Sequence, residues 1–152
     1  MKNIALILSF LAFGNILMAQ DNDLQWFDNM DEAKTYAAEN RSNILMVFAG
    51  SDWCKPCIKF KKDILEAADF QNWTKEKMVV LYLDFPAKKK NKLSPEQTSH
   101  NEALAEQFNK SGVFPNIFLI DANAKVLANP KFKGQSAAEF TANLERNLKT
   151  KN

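Results

Sequence analysis

The sequence predicts an α/β fold, a central mixed sheet of about four to five strands flanked by helices on both faces. Two observations carry this. Short continuous apolar runs alternate with segments whose apolar residues recur every three or four positions, the patterns of buried strands and amphipathic helices. The early strand candidates are joined through helical segments, which implies parallel neighbours. The last two are separated by a tight turn alone, which implies an antiparallel pair.

The 152 residues suit one domain, assigned to residues 24–150. Ahead of it lie Lys2, the apolar run 4–18 and Ala19-Gln20, with polarity returning at Asp21. A basic residue, a short apolar core and a small residue at its end are the parts of an export signal. Residues 1–19 are therefore expected to be removed, with cleavage after Ala19 or Gln20, and the product to be periplasmic or secreted. The apolar core is barely long enough to span a bilayer as an anchor.

Within the domain, residues 28–40 read as a helix with acidic residues at its start and Ala33, Tyr36 and Ala37 on its buried face. Residues 44–49 form an apolar run of strand length, broken by Gly50-Ser51-Asp52. Residues 54–68 turn helical, with Cys57, Phe60, Ile64 and Ala68 on one stripe. Residues 69–77 are a short helix or an irregular segment, and 78–85 are a second buried strand stopped by Pro86. A basic loop follows, Lys88-Lys89-Lys90-Asn91-Lys92. It reads either as solvated or as a dock for an acidic partner.

Ser94-Pro95-Glu96-Gln97 opens the next helix with an N-cap serine, proline at the first position and glutamine three residues after the cap. That helix carries Leu104, Ala105 and Phe108 and ends before Gly112. Residues 116–121 and 125–128 are strands flanking the turn Ala122-Asn123-Ala124. Ser136 and Glu139 form a capping box for a last helix bearing Phe140, Leu144 and Leu148.

Charge excludes one class of partner. Without Lys2, the 20 basic residues fall to one more than the 18 acidic ones, and no arginine-rich stripe exists, so nucleic acid is not an expected partner.

The chemistry concentrates in Trp53-Cys54-Lys55-Pro56-Cys57, which holds both cysteines of the chain. Two thiols three positions apart can cycle between dithiol and disulfide with no cofactor. As a structural staple the pair would close a very small loop and remove little unfolded-state entropy. Cys54 stands at a helix N-terminus, where unpaired N–H groups and the helix dipole favour a thiolate, and Lys55 adds positive charge. Cys54 is thus the expected nucleophile and Cys57, one turn later and core-facing, the resolving thiol.

These residues resemble the thioredoxin-like superfamily, and in particular exported thioredoxin-like proteins of Bacteroidetes-type bacteria. The resemblance rests on the Trp53–Cys57 motif after the first apolar strand, Pro115 before the third, and the closing hairpin and helix. It implies a thiol–disulfide oxidoreductase that reduces protein disulfides as a monomer and is re-reduced by a membrane thiol–disulfide donor. It also implies a cis Pro115 as substrate contact, with Trp53, Lys55, Pro56 and Phe114 completing the substrate surface. Phe114 stands where the family usually has a smaller residue. The family's buried aspartate in the strand before the motif is missing, since that stretch is Met46-Val47-Phe48-Ala49, and its companion lysine, whose place falls near Leu81, is also absent. Asp52 is left as the nearby acid and the candidate proton acceptor.

Other readings remain open at this level. Isomerase and oxidase share the constellation and differ in potential. The two thiolates could bind copper(I), or zinc at a site shared between chains, since His100 is the one histidine and a tetrahedral site needs four ligands. A non-catalytic binding module on the same scaffold is the third alternative.

Overall fold

The computed structural model describes residues 24–75 and 77–149. The expected export segment, residues 1–19 with Gln20, lies outside them. A five-stranded sheet has the order β1-β3-β2-β4-β5. Its strands are β1 (Trp26–Phe27), β2 (Asn43–Ala49), β3 (Met78–Asp84), β4 (Asn116–Ile120) and β5 (Val126–Ala128). β1 and β2 run parallel to β3, while β4 runs antiparallel to both β2 and β5. The sheet is mixed, as the connection lengths require.

β2 is central, and six of its seven residues are buried. Alternation divides them between two cores. Leu45, Val47 and Ala49 join Cys54, Cys57, Phe60, Ile64, Phe70 and Phe140. Ile44, Met46 and Phe48 join Ala33 and Ala37, with Leu104, Ala105 and Phe108 packed against them. Helices α1 (Met30–Glu39) and α4 (Pro95–Phe108) therefore cover one face. Helices α2 (Lys55–Phe60), α3 (Ala68–Thr74) and α5 (Ala137–Lys149) cover the other.

Caps fix the helix starts. Asn29 accepts from the Asp31 and Glu32 amides, and Ser94 accepts from the Gln97 amide at 3.1 Å. Ser136 and Glu139 make both halves of their capping box, and the Ser136 amide and hydroxyl hold the Glu139 carboxyl below its usual range. At Ser94 the box is half formed, because the Gln97 side chain instead donates to the Asp28 carbonyl and to Asn101.

Two expectations change. The helix expected over residues 54–68 widens after Phe60 into one π turn, Lys61–Leu65, and then stops. Consecutive residues of a regular helix point about 100° apart; the wider turn lets Ile64 and Leu65 both be fully buried. Ala67 then adopts an extended conformation and Ala68 begins α3, exposed rather than on the buried stripe. The second change is β1, a two-residue parallel edge strand that the sequence reading did not contain.

Candidate active site

β2 ends at Ala49, and Gly50 to Trp53 turn the chain into α2, with the Cys54 amide donating to the Gly50 carbonyl at 3.0 Å. Gly50 has no room for a side chain, since a Cβ there would overlap the Trp53 indole. Cys54 is the N-cap of α2, with Pro56 within its first two positions. Cys54 and Cys57 form a disulfide, with their Cα atoms 5.2 Å apart. The Cys57 amide donates to Cys54 Sγ at 3.2 Å. Cys54 is 4% exposed and Cys57 1%, so the bridge lies in the core layer with its outer sulfur at the margin, while Lys55 and Pro56 are exposed.

An aromatic wall stands beside it. Trp53 is 48% exposed, and its Nε1–H donates to the Phe85 carbonyl at 2.7 Å. Its ring meets Phe114 edge-on at 5.4 Å, and Phe114 meets Phe85 at the same distance. This trio brings three distant parts of the chain together: the motif, the end of β3 and the start of β4. The Phe114–Pro115 peptide is cis. Behind it a chain of asparagines anchors the backbone. Asn116 donates to Asn109, Asn129 donates to Asn116, and Asn109 donates to the Val113 carbonyl.

Two carboxylates hold the turn ahead of Cys54. The Asp52 carboxylate accepts from the Ala87 amide (2.9 Å), the Lys88 amide (3.0 Å) and the Asn91 side chain (2.8 Å). These bonds, the Ala87 amide foremost, hold it below the usual carboxylate range. Its hydrogen bonds join the motif to the basic loop. Asp84 was missed in the sequence because an acid ending an apolar run reads as a strand terminator. It sits beside Ala49 in the β2–β3 register and accepts from the Ser51 amide (2.8 Å) and hydroxyl (2.6 Å). Its own carbonyl receives the Asn101 amide of α4 at 2.8 Å.

His100 is half-buried rather than a free surface group. Its Nε2 accepts from the Met30 amide at 3.1 Å and its Nδ1 faces Asn101, joining α4 to the start of α1. Among the described residues, no three His, Cys, Asp or Glu side chains are grouped as metal ligands. No helix there is long and apolar enough to cross a membrane.

A family model described as a thioredoxin-like domain matches residues 30–147. The "Disulfide bond reductase DsbH" of Chlamydia pneumoniae is 32% identical over 127 residues, 84% of this chain and 74% of that protein. A solved structure titled "DsbH Oxidoreductase" superposes with a TM-score of 0.75 at 32% identity, covering 84% of this chain and 85% of that one. A thioredoxin from Thermus thermophilus shares the fold at 18% identity, with a TM-score of 0.59 over 81% of this chain and 85% of that one. A two-residue spacer between thiols, a disulfide at a helix start and a match across both cores lead to one conclusion: this chain belongs to the thioredoxin-like family, as a thiol–disulfide oxidoreductase.

Proposed function

We propose that the protein is an exported protein-disulfide reductase in which Cys54 is the nucleophile and Cys57 the resolving thiol. The observation that carries the assignment of roles is the Cys57 amide donating to Cys54 Sγ at the mouth of α2. That donor favours negative charge on Cys54 once the bridge is reduced. The direction rests on the Chlamydia pneumoniae relative, named a disulfide bond reductase.

In the reduced protein, the Cys54 thiolate attacks one sulfur of a substrate disulfide. The substrate S–S bond breaks, its leaving sulfur takes a proton, and a Cys54–substrate mixed disulfide forms. Cys57, deprotonated, attacks Cys54 Sγ; the mixed bond breaks and the second substrate thiol leaves protonated. Two electrons and two protons have passed to the substrate, and the protein holds the Cys54–Cys57 disulfide. A dithiol on a membrane protein returns it to the reduced form. Trp53, Lys55, Pro56, Phe114 and Pro115 make up the substrate-facing surface, and Asp52 anchors the loop beside it. The active group is the disulfide itself, with no added cofactor.

Cys57→Ser leaves the first attack intact and removes the second. It is expected to accumulate mixed disulfides through Cys54, seen by non-reducing electrophoresis and mass spectrometry. Adducts through position 54 support the assignment; their absence, in a variant that reacts with a thiol reagent at Cys54, overturns it. The redox potential tests direction: a value near −120 mV, that of a strong oxidant, would exclude the reductase reading.

A further inference from the structure

A groove of about 320 Å³ runs between the end of β3, the basic loop and α4, and shares Phe85 with the aromatic wall. Phe85, Pro86 and Leu93 give it an apolar lining, Lys88, Lys89 and Lys92 its positive charge, and Glu102 stands on the α4 side. We propose that this groove is a substrate subsite for an acidic segment near the cysteine under attack. This deepens the reductase reading and rests on it.

Three observations support the subsite. The first is position. Phe85 belongs both to the groove and to the aromatic wall, its carbonyl bound to Trp53 and its ring packed on Phe114. In the proposal, a chain lying over Trp53 reaches the groove across Phe85.

The second is order. The loop lysines are exposed, yet the loop is held to Asp52, the residue before Trp53, by the Ala87 and Lys88 amides and the Asn91 side chain. A 3-10 turn, Lys89–Asn91, shapes the remainder. The charges are thus presented from a fixed scaffold, which lowers the ordering cost of binding.

The third is unbalanced charge. The ion pairs Lys34–Asp31, Lys59–Asp63 and Lys61–Glu66 include none of Lys88, Lys89, Lys90 or Lys92. Three carboxylates lie nearby: Asp84 and Glu102 line the groove, and Asp52 holds the loop and acts on Lys88. The four lysines still outnumber them. An apolar lining with a cationic rim fits a short segment that alternates apolar and acidic side chains.

The test uses the full protein with fluorescent peptides that carry serine in place of cysteine and three flanking Asp, Asn or Lys residues. Anisotropy is expected to give the Asp peptide about tenfold tighter binding than the Asn peptide at low salt, and the Lys peptide weaker binding than either. The preference should collapse in about 0.5 M NaCl. It should also fall to about one in K88Q/K89Q/K92Q and rise in E102Q. Equal affinity for the Asp and Asn peptides, or a preference that survives the triple substitution, overturns the subsite. Cysteine-containing disulfide versions are assayed in parallel. Retained binding preference without reduction would count against the reductase reading and leave the subsite standing.

Discussion

Tyr82 shows how one misfit atom sets a pH limit. Its ring is half-buried, and its hydroxyl is enclosed with no hydrogen-bond partner among the described residues. Burial, helped by the Asp84 and Glu66 charges, pushes its pKa up to about 12. In the unfolded chain a tyrosine loses its proton near pH 10. Above that, the unfolded state gains by ionising while the folded state does not, so stability present below pH 10 falls as the pH climbs toward 12. Tyr82→Phe removes the loss. Its melting temperature should exceed the wild type's most clearly at pH 11, with a gain of at most about 1 kcal/mol at pH 7 from deleting an unsatisfied hydroxyl. Lower stability of the variant at pH 7 would mean that the hydroxyl has a partner. At this scale the two acids were the hardest part to read. Asp52 stood out by sitting next to the motif, and Asp84, the acid that fixes Ser51, lies 33 residues away in sequence from the group it holds.

Among the elements, the basic loop depends most on a single side chain. The Asp52 carboxylate is held below its ordinary range, so the stability it adds is present above about pH 4 and is lost as the pH falls through its folded value. Asp52→Ala should release the loop at neutral pH. Hydrogen exchange at Lys88 and Asn91 is then expected to accelerate at least tenfold, while the β2 amides keep their protection. Unchanged exchange in the loop would show that the 3-10 turn holds it unaided. The elements with strong periodicity or caps were legible: β2, β3, α4 and α5 lie within a residue or two of their expected bounds. β1 was not, because two residues cannot display an alternating pattern and its pairing with Val80 and Leu81 is long-range. The π turn was hidden for another reason. Its apolar spacing at Phe60, Ile64 and Leu65 fits an ordinary helix, and tertiary burial decides the difference.

For the whole molecule, the face that carries the cysteines depends on aromatic packing. Phe140 of α5 is fully buried and packs edge-on to Phe60 at 5.2 Å and against Phe70 at 6.1 Å, joining α5 to α2 and α3. Phe140→Ala should lower the unfolding free energy by about 3–5 kcal/mol in a denaturant titration. A loss under 1 kcal/mol would show that α5 is not needed for the core around α2. The fold class could be read from the order of short apolar runs, since alternation with helices leaves few topologies. The wall of Trp53, Phe85 and Phe114 could be read only in part: Trp53 and Phe114 were expected together by resemblance, but Phe85, 29 or more residues from either, reads alone as the end of a buried strand.

The outer strands, two residues in β1 and three in β5, leave only a short ladder of unpaired backbone at either margin. Among the described residues, such margins give another chain little backbone on which to zip, the usual route to co-aggregation. Under the proposed reductase reading, a substrate would be held there mainly by side chains and one exchangeable bond, and would leave once that bond is resolved.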